Sequence, residues 1–126
     1  MIKKRAREIG LNFPVITGPN NAITDIDRVE VGYTTLIEGD EPLKCGAGPV
    51  RTGVTALLPR GRDPIPKPVW AGIHRFNGNG EMTGTHWIED GGYFLGPIMM
   101  TNTHSVGRVH QAAVQWMIDT LSLIHI

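Results

Sequence analysis

Four prolines between residues 59 and 68 constrain the fold of this 126-residue chain more strongly than any other feature. Each proline lacks a backbone N–H and has a fixed φ, so the segment can join neither a helix nor the interior of a sheet. Four charged side chains share the same ten positions. The sequence therefore predicts an exposed loop within one domain, not a linker between two domains.

Two strands are predicted before this loop. In Arg28–Ile37, every second residue from Val29 onward is apolar or aromatic up to Tyr33, which is the period of a half-buried strand. The same alternation runs through Val50–Leu58, and Pro59 ends it.

The chain after the loop combines strands with helices. Val69–Phe76 has β character, and Trp87–Glu89 is predicted as a short helix. The almost wholly apolar Leu95–Asn102 predicts a strand covered on both faces. Apolar residues at helical spacing from residue 106 to residue 118 predict a helix with Ser105 as its N-cap. These patterns together predict an α/β or α+β layered fold.

The charge balance excludes several classes of partner. Twelve Lys and Arg residues oppose twelve Asp and Glu residues, so the formal net charge is zero and no long-range field attracts a nucleic acid or an acidic membrane surface.

No apolar run approaches the roughly 18 residues of a membrane span. Cys45 is the only cysteine, and no signal peptide is visible, so we expect a cytoplasmic protein.

Metal and nucleotide sites are not predicted. Outside the last six residues there are four histidines, and no two of them have the i, i+4 spacing of a helical zinc site. Gly78, Gly80 and Gly84 do not match the dinucleotide fingerprint, because Thr83 occupies the place of its third glycine. We therefore expect no metal site and no dinucleotide site.

The last six residues, Leu121 to Ile126, match the translation of a transposon-end adapter used to prepare sequencing libraries. We interpret residues 121–126 as non-native and residues 1–120 as the N-terminal fragment of a single domain that continues beyond Thr120. The alternative is a genuine helix end, in which Leu121 and Ile124 extend the apolar face.

Two polar segments are candidate ligand-binding loops. Asn77–Glu81 follows a predicted strand, and its glycines leave backbone N–H groups able to converge on an anion or a polarised carbonyl; a tight hairpin turn is the alternative. Thr101–Ser105 ends the apolar strand and opens the helix, where N–H groups and hydroxyls gather; simple capping by Ser105 is the alternative. Ser105 is a poor candidate nucleophile, since nothing aims the adjacent His104 at its oxygen. The candidate pocket-lining residues are Asn77, Asn79, Gly80, Glu81, Thr103, His104 and Ser105.

Five sequence blocks in one order resemble the L-aminopeptidase/D-esterase and β-aminopeptidase family of self-processing serine peptidases. The resemblance covers nearly all of Arg5–Trp116, and its blocks are Ile16–Asp25, Val29–Thr35, Gly48–Ala56, Asn77–Thr85 and Thr101–Gly107.

This resemblance implies an α+β fold, the N-terminal part of a four-layer αββα sandwich similar to N-terminal-nucleophile hydrolases. It implies a precursor that cuts itself before a serine, which then attacks small peptides, amides or esters without a cofactor. The nucleophile is expected downstream, so no catalytic residue is assigned in this chain and the fragment alone is expected to be inactive. Its expected partners are the missing C-terminal part of its own precursor and, when complete, further copies in a homo-oligomer.

Two other functions remain open from the sequence. An ornithine acetyltransferase resembles the family in fold and self-processing, but the Pro19–Asp25 and Asn77–Glu81 blocks argue against it. A non-catalytic binding or assembly module, complete as written, is the third interpretation.

Overall fold

The computed structural model describes residues 4–122, and its regular elements are short except for two strands and one helix. The elements are β1 (Glu30–Glu38), β2 (Val50–Leu58), β3 (Val69–Trp70), α1 (Thr85–Gly91), β4 (Tyr93–Phe94), β5 (Ile98–Met100) and α2 (Val106–Thr120), with 3-10 turns at Ala6–Ile9, Ile23–Asp25 and Thr103–Ser105.

The main sheet has the strand order β1-β2-β5, and both pairings are antiparallel. β1 and β2 pair along their full lengths, from Glu30 opposite Leu58 to Glu38 opposite Val50. Only three residues of β5 join the other side of β2, with Met99 opposite Ala56. The predicted strand Val50–Leu58 is confirmed at both ends, and β1 lies where the first strand was predicted.

Gly53 allows β1 and β2 to approach each other closely. A Cβ atom added to Gly53 would lie 2.5 Å from the carbonyl oxygen of Thr34, a distance that real side chains do not reach. A glycine therefore stands at this point of the ladder for a steric reason.

The strands after the proline loop are shorter than predicted. Within Val69–Phe76, only Val69–Trp70 is a strand, and it pairs with β4 in a separate two-stranded sheet. The predicted strand Leu95–Asn102 is wrong as one element, because Gly96 adopts φ 96° and Pro97 lacks a donor, so only Ile98–Met100 remains in the ladder.

The proline segment is a loop, as predicted, but it is not fully exposed. Asp63 is half-buried and its carboxylate accepts hydrogen bonds from the Ile65 N–H at 3.0 Å and from Lys67 Nζ at 3.0 Å. The Pro64 carbonyl accepts a hydrogen bond from the Ser122 N–H at 2.8 Å. The loop thus packs against the end of α2 instead of extending into solvent.

Both helices differ in detail from the prediction. The short helix extends over Thr85–Gly91, and Gly92 ends it in the left-handed region with its N–H bonded to the Ile88 carbonyl. Ser105 stands at the N-cap of α2, but the predicted capping bond is wrong, because its side chain makes no cap hydrogen bond and its backbone is already helical. The preceding 3-10 turn carries the chain into the helix without a hydroxyl cap.

α2 ends at Thr120, and Leu121 is extended. Of the six residues interpreted as non-native, Leu121 and Ser122 are within the described part, and residues 123–126 lie outside the described residues.

Little of the described structure is buried. Among residues 4–122 no apolar side chain is fully buried, and Thr85, at 8% exposure, is the only buried residue. The accessible surface is 10485 Å², whereas a globular monomer of this mass exposes about 6,600 Å². The predictions of a half-buried first strand and a doubly covered apolar strand are therefore wrong for this chain by itself, since all of β1 is exposed and Met100 is 51% exposed.

No helix in the described part of the chain is long and apolar enough to cross a membrane.

We predict that the purified 126-residue chain self-associates. The sheet face away from α2 presents Tyr33 and Ile37, which are 77% and 66% exposed, and β1 is an edge strand. Uncovered apolar faces and free strand edges favour association. Size-exclusion chromatography should give an apparent mass well above 13.8 kDa, reduced by Ile37→Lys but not by Gln111→Lys on α2. A monomer that unfolds cooperatively would contradict the prediction.

A second prediction concerns Asp25. Its carboxylate accepts hydrogen bonds from the N–H groups of Asn20, at 2.9 Å, and Ala22, at 3.1 Å. These bonds, and the one from Asn20 most of all, lower the pKa of Asp25 below the ordinary value of 3.8. A lowered pKa stabilises the folded loop above that value, and the contribution is lost as pH falls through the folded-state pKa. The amide NMR signals of both residues should therefore titrate with a midpoint below that of an ordinary aspartate.

The matched variant is Asp27→Asn, because Asp27 accepts no side-chain hydrogen bond among residues 4–122. Asp25→Asn should increase amide exchange at residues 20–22 by about tenfold, because two backbone N–H groups lose their charged acceptor, whereas Asp27→Asn should leave it unchanged. Equal exchange in both variants would show that the Asp25 carboxylate does not order the loop.

Candidate functional site

The segment Asn77–Glu81 lies on the surface, and all five of its residues are exposed. The Asn77 side-chain oxygen accepts the Asn79 N–H at 2.9 Å, which makes an Asx turn. Gly78 adopts φ 67°, whereas Gly80 has no positive φ. The Asn79 N–H is therefore already bonded within the segment, which leaves fewer amides for a ligand than the glycine pattern predicted.

The alternative of a tight hairpin turn at Asn77–Glu81 is wrong. The strand before this segment, β3, pairs with β4, which follows α1 in the chain. The connection between the paired strands thus includes the whole of α1, and the glycines lie within a long loop.

An ion pair closes this long loop at its base. The Arg75 guanidinium donates to the Glu89 carboxylate on α1. The bond to Arg75 lowers the pKa of Glu89, and the charge of His86 acts in the same direction. Both side chains are partly exposed, so solvent screens their attraction and the pair orients the loop more than it stabilises the fold.

The second candidate segment, Thr101–Ser105, begins where β5 ends and leads directly into α2. Thr103 and His104 are exposed, and Ser105 is half-buried at the helix start. The Ser105 N–H donates to the Asn102 carbonyl at 3.0 Å, which closes the 3-10 turn. The predicted position of this turn, at the end of a strand and the start of a helix, is confirmed.

Two side-chain bonds fasten this turn to the central strand. Thr101 Oγ1 donates to the Gly53 carbonyl at 3.0 Å, and Asn102 Nδ2 donates to Thr52 Oγ1 at 2.8 Å. The sequence reasoning missed Asn102 and Thr52 as a pair. About fifty residues separate them, so no local pattern in one sequence signals the contact.

The two segments are not joined to each other within the described residues. No hydrogen bond or ion pair between residues 4 and 122 links Asn77–Glu81 to Thr101–Ser105. The first is held by α1 through Arg75, and the second by β2 through Thr101 and Asn102. The seven predicted site residues are therefore divided between two segments that no hydrogen bond or ion pair among residues 4–122 joins.

Residues 4–122 contain no group of three or more His, Cys, Asp or Glu side chains arranged to hold a metal ion. Cys45 is exposed in the connection between β1 and β2. These side chains supply neither a nucleophile with a base beside it nor a metal centre.

The sequence of this chain is similar to those of known peptidases. The family model described as peptidase family S58 matches residues 21–125. The β-peptidyl aminopeptidase BapA of Sphingosinicella microcystinivorans is 57% identical over 115 residues, which are 91% of this chain and 29% of that protein. The chain thus spans less than a third of the length of this curated relative.

Solved structures give the same picture. The L-aminopeptidase D-Ala-esterase/amidase of Ochrobactrum anthropi, described as a variant of the Ntn hydrolase fold, is 61% identical with a TM-score of 0.83, covering 94% of this chain and 32% of that one. A β-aminopeptidase of Burkholderia sp. is 40% identical with a TM-score of 0.79, covering 94% and 33%.

These findings confirm the α+β class similar to N-terminal-nucleophile hydrolases, and they favour the aminopeptidase resemblance over the acetyltransferase and the non-catalytic module. Because the family model matches 105 consecutive positions, residues 21–125, this chain belongs to peptidase family S58.

Proposed function

We propose that residues 1–120 are the N-terminal fragment of a self-processing serine aminopeptidase and that residues 121–126 are not native. The observation that carries the fragment proposal is the family match in a chain that spans 29% of its curated relative. The proposal for residues 121–126 rests on their adapter-like sequence, since the family match itself extends to residue 125. The complete enzyme removes N-terminal residues from small peptides, amides or esters, and the serine nucleophile lies in the part beyond residue 120.

The described residues are consistent with a supporting role in that chemistry. A serine nucleophile needs a base within hydrogen-bond reach and donors aimed at the developing oxyanion. Ser105, the serine outside the proposed tail, is half-buried at a helix start, and His104 beside it is exposed. The fragment therefore provides one sheet with α2 packed against β5, together with two polar segments, and the missing part provides the reacting groups.

In the complete enzyme, we assign Asn77, Asn79, Gly80, Glu81, Thr103, His104 and Ser105 to the walls of the substrate pocket. Two observations support this assignment. Each segment is bonded to a regular element, and most of its side chains are exposed. The enzyme works without a metal or another cofactor, in the cytoplasm, as a homo-oligomer, and it binds neither nucleic acid nor membranes.

The primary test is to amplify the source DNA across the codon for Thr120 and read onward. We expect the frame to continue into a second part that contains a small residue followed by a serine at a subunit junction. A genuine stop codon after Ile126 would contradict both the fragment and the aminopeptidase proposal.

A direct activity prediction follows for the two proteins. The 126-residue chain should release no amine from aminoacyl anilides or esters, whereas the protein expressed from the complete frame should hydrolyse them after cutting itself. Mass spectrometry of the complete protein should show two fragments, the second beginning with serine. An uncut complete protein with no hydrolysis would contradict the proposal.

In the complete enzyme, Asn79→Ala and Glu81→Ala should each slow self-cleavage or aminopeptidase turnover by about tenfold or more, because small displacements of a positioned group strongly reduce rates. The matched control is Glu41→Ala, an exposed acid in the β1–β2 connection. Unchanged cleavage and turnover rates in both loop variants would remove Asn77–Glu81 from the pocket.

A further inference from the structure

One side chain, that of Asn102, connects the turn before α2 to the central strand of the main sheet. Asn102 Nδ2 donates to Thr52 Oγ1 on β2 at 2.8 Å, and the Asn102 carbonyl accepts the Ser105 N–H at 3.0 Å. The side chain of Asn102 is thus bonded to β2, while its backbone closes the 3-10 turn that begins at Thr103. Asn102 is therefore the direct link between Thr52 and the turn that carries His104.

This bond forms where the backbone ladder between β2 and β5 has already ended. The last ladder pair is Thr55 opposite Met100, although Asn102 is still extended, with φ −71° and ψ 157°. Continuing the register would place Asn102 opposite Gly53, so its side chain reaches one residue further along β2 to bond Thr52. The side-chain bond therefore holds the chain at a point where its backbone no longer follows the sheet.

Thr52 is the more firmly held of the two partners. Its backbone pairs with Leu36 in the β1–β2 ladder and its side chain is half-buried, whereas Asn102, Thr103 and His104 are exposed. Exposed segments with few apolar contacts open more readily than strands within a ladder. Loss of the Thr52 hydroxyl should therefore release the turn and leave β2 in place.

The turn offers polar groups to a ligand but none of the reacting groups of the proposed enzyme. The Thr103 hydroxyl and the neutral His104 imidazole can each donate and accept a hydrogen bond, which suits the polar groups of an amide or ester. The proposed nucleophile lies beyond residue 120 and is not held by this bond. A displaced turn would thus weaken substrate binding more than the chemical step, and such a loss raises KM more than it lowers kcat.

We propose that the bond between Thr52 and Asn102 sets how tightly the complete enzyme binds its peptide, amide or ester substrate, because it holds Thr103 and His104 in the pocket wall. The inference rests on the proposed function, which assigns those two residues to the pocket. Thr52 and Asn102 are positioning residues, since they act on the substrate through the turn and do not touch it.

The test is steady-state kinetics of the protein expressed from the complete frame. Thr52→Val removes the hydroxyl and keeps the branched shape, and Thr52→Ser retains the hydroxyl. Thr52→Val should fold, because valine suits a strand and water can satisfy the exposed Asn102 amide. The matched control is Thr55→Val in the same strand, since the Thr55 hydroxyl makes no hydrogen bond with any other residue from 4 to 122.

Thr52→Val should raise KM by about fivefold or more and leave kcat within about twofold of the wild-type value, whereas Thr52→Ser should keep both near wild type. A variant that is merely less stable would behave differently, because a smaller folded fraction lowers the apparent kcat at constant KM. Unchanged KM in Thr52→Val, an equal rise in Thr55→Val, or no rescue by Thr52→Ser would each overturn the proposal.

A double variant tests whether the two side chains act through one bond. Asn102→Ala, alone or combined with Thr52→Val, should give the same KM as Thr52→Val, since the same bond is lost in each case. Effects that multiply would show two independent roles and refute the proposed pair.

The result also separates this inference from the proposed activity. A complete wild-type protein that hydrolyses nothing contradicts both, because no substrate is then positioned. An active enzyme whose KM is unaffected by Thr52→Val contradicts the positioning pair alone.

Discussion

The pairing of β2 with β1 on one side and β5 on the other is the constraint on which the rest of this structure depends. The approach permitted by Gly53 keeps the β1–β2 ladder continuous over nine pairs. The Gly53 carbonyl also accepts the hydroxyl of Thr101, so the same residue of β2 serves the ladder and the turn that opens α2. A side chain at this position would disturb both at once, because the strand would have to move away from β1 and carry the acceptor with it.

The high solvent exposure of the described residues follows from the kinds of interaction that hold them. Backbone ladders and short polar anchors define the elements, but among residues 4–122 there is no fully buried apolar side chain to hold the layers together. Hydrogen bonds fix the geometry of the backbone but add only modestly to the net stability of the fold. Burial of apolar area supplies most of the driving force for folding. The sheet therefore has well-defined geometry, and its face away from α2 and the edge of β1 remain available to other chain segments.

The sequence predicted the parts of the fold that have a local cause. Pro59 and the alternation before it place the end of β2, and the apolar spacing after Ser105 places α2, because both signals lie within one element. The shortening of the predicted strand Leu95–Asn102 to Ile98–Met100 was missed, since an apolar pattern does not reveal that Gly96 turns and Pro97 interrupts the ladder. For the candidate site, the two polar segments were found from composition, but Asn102–Thr52 and Arg75–Glu89 depend on tertiary contacts that one sequence does not encode locally.

The separation of the two polar segments has a consequence for any pocket built from them. Asn77–Glu81 lies in the loop that the Arg75–Glu89 ion pair joins to α1, whereas Thr101–Ser105 follows two side-chain bonds to β2, and the chain between the segments runs through β4 and the Gly96 turn. A pocket that uses both must hold the two segments at a constant spacing, because catalysis tolerates displacements of only about 1 Å. The bonds within residues 4–122 fix each segment to its own element but not the two segments to each other. In the proposed enzyme, the spacing of the two segments therefore depends on contacts other than these bonds.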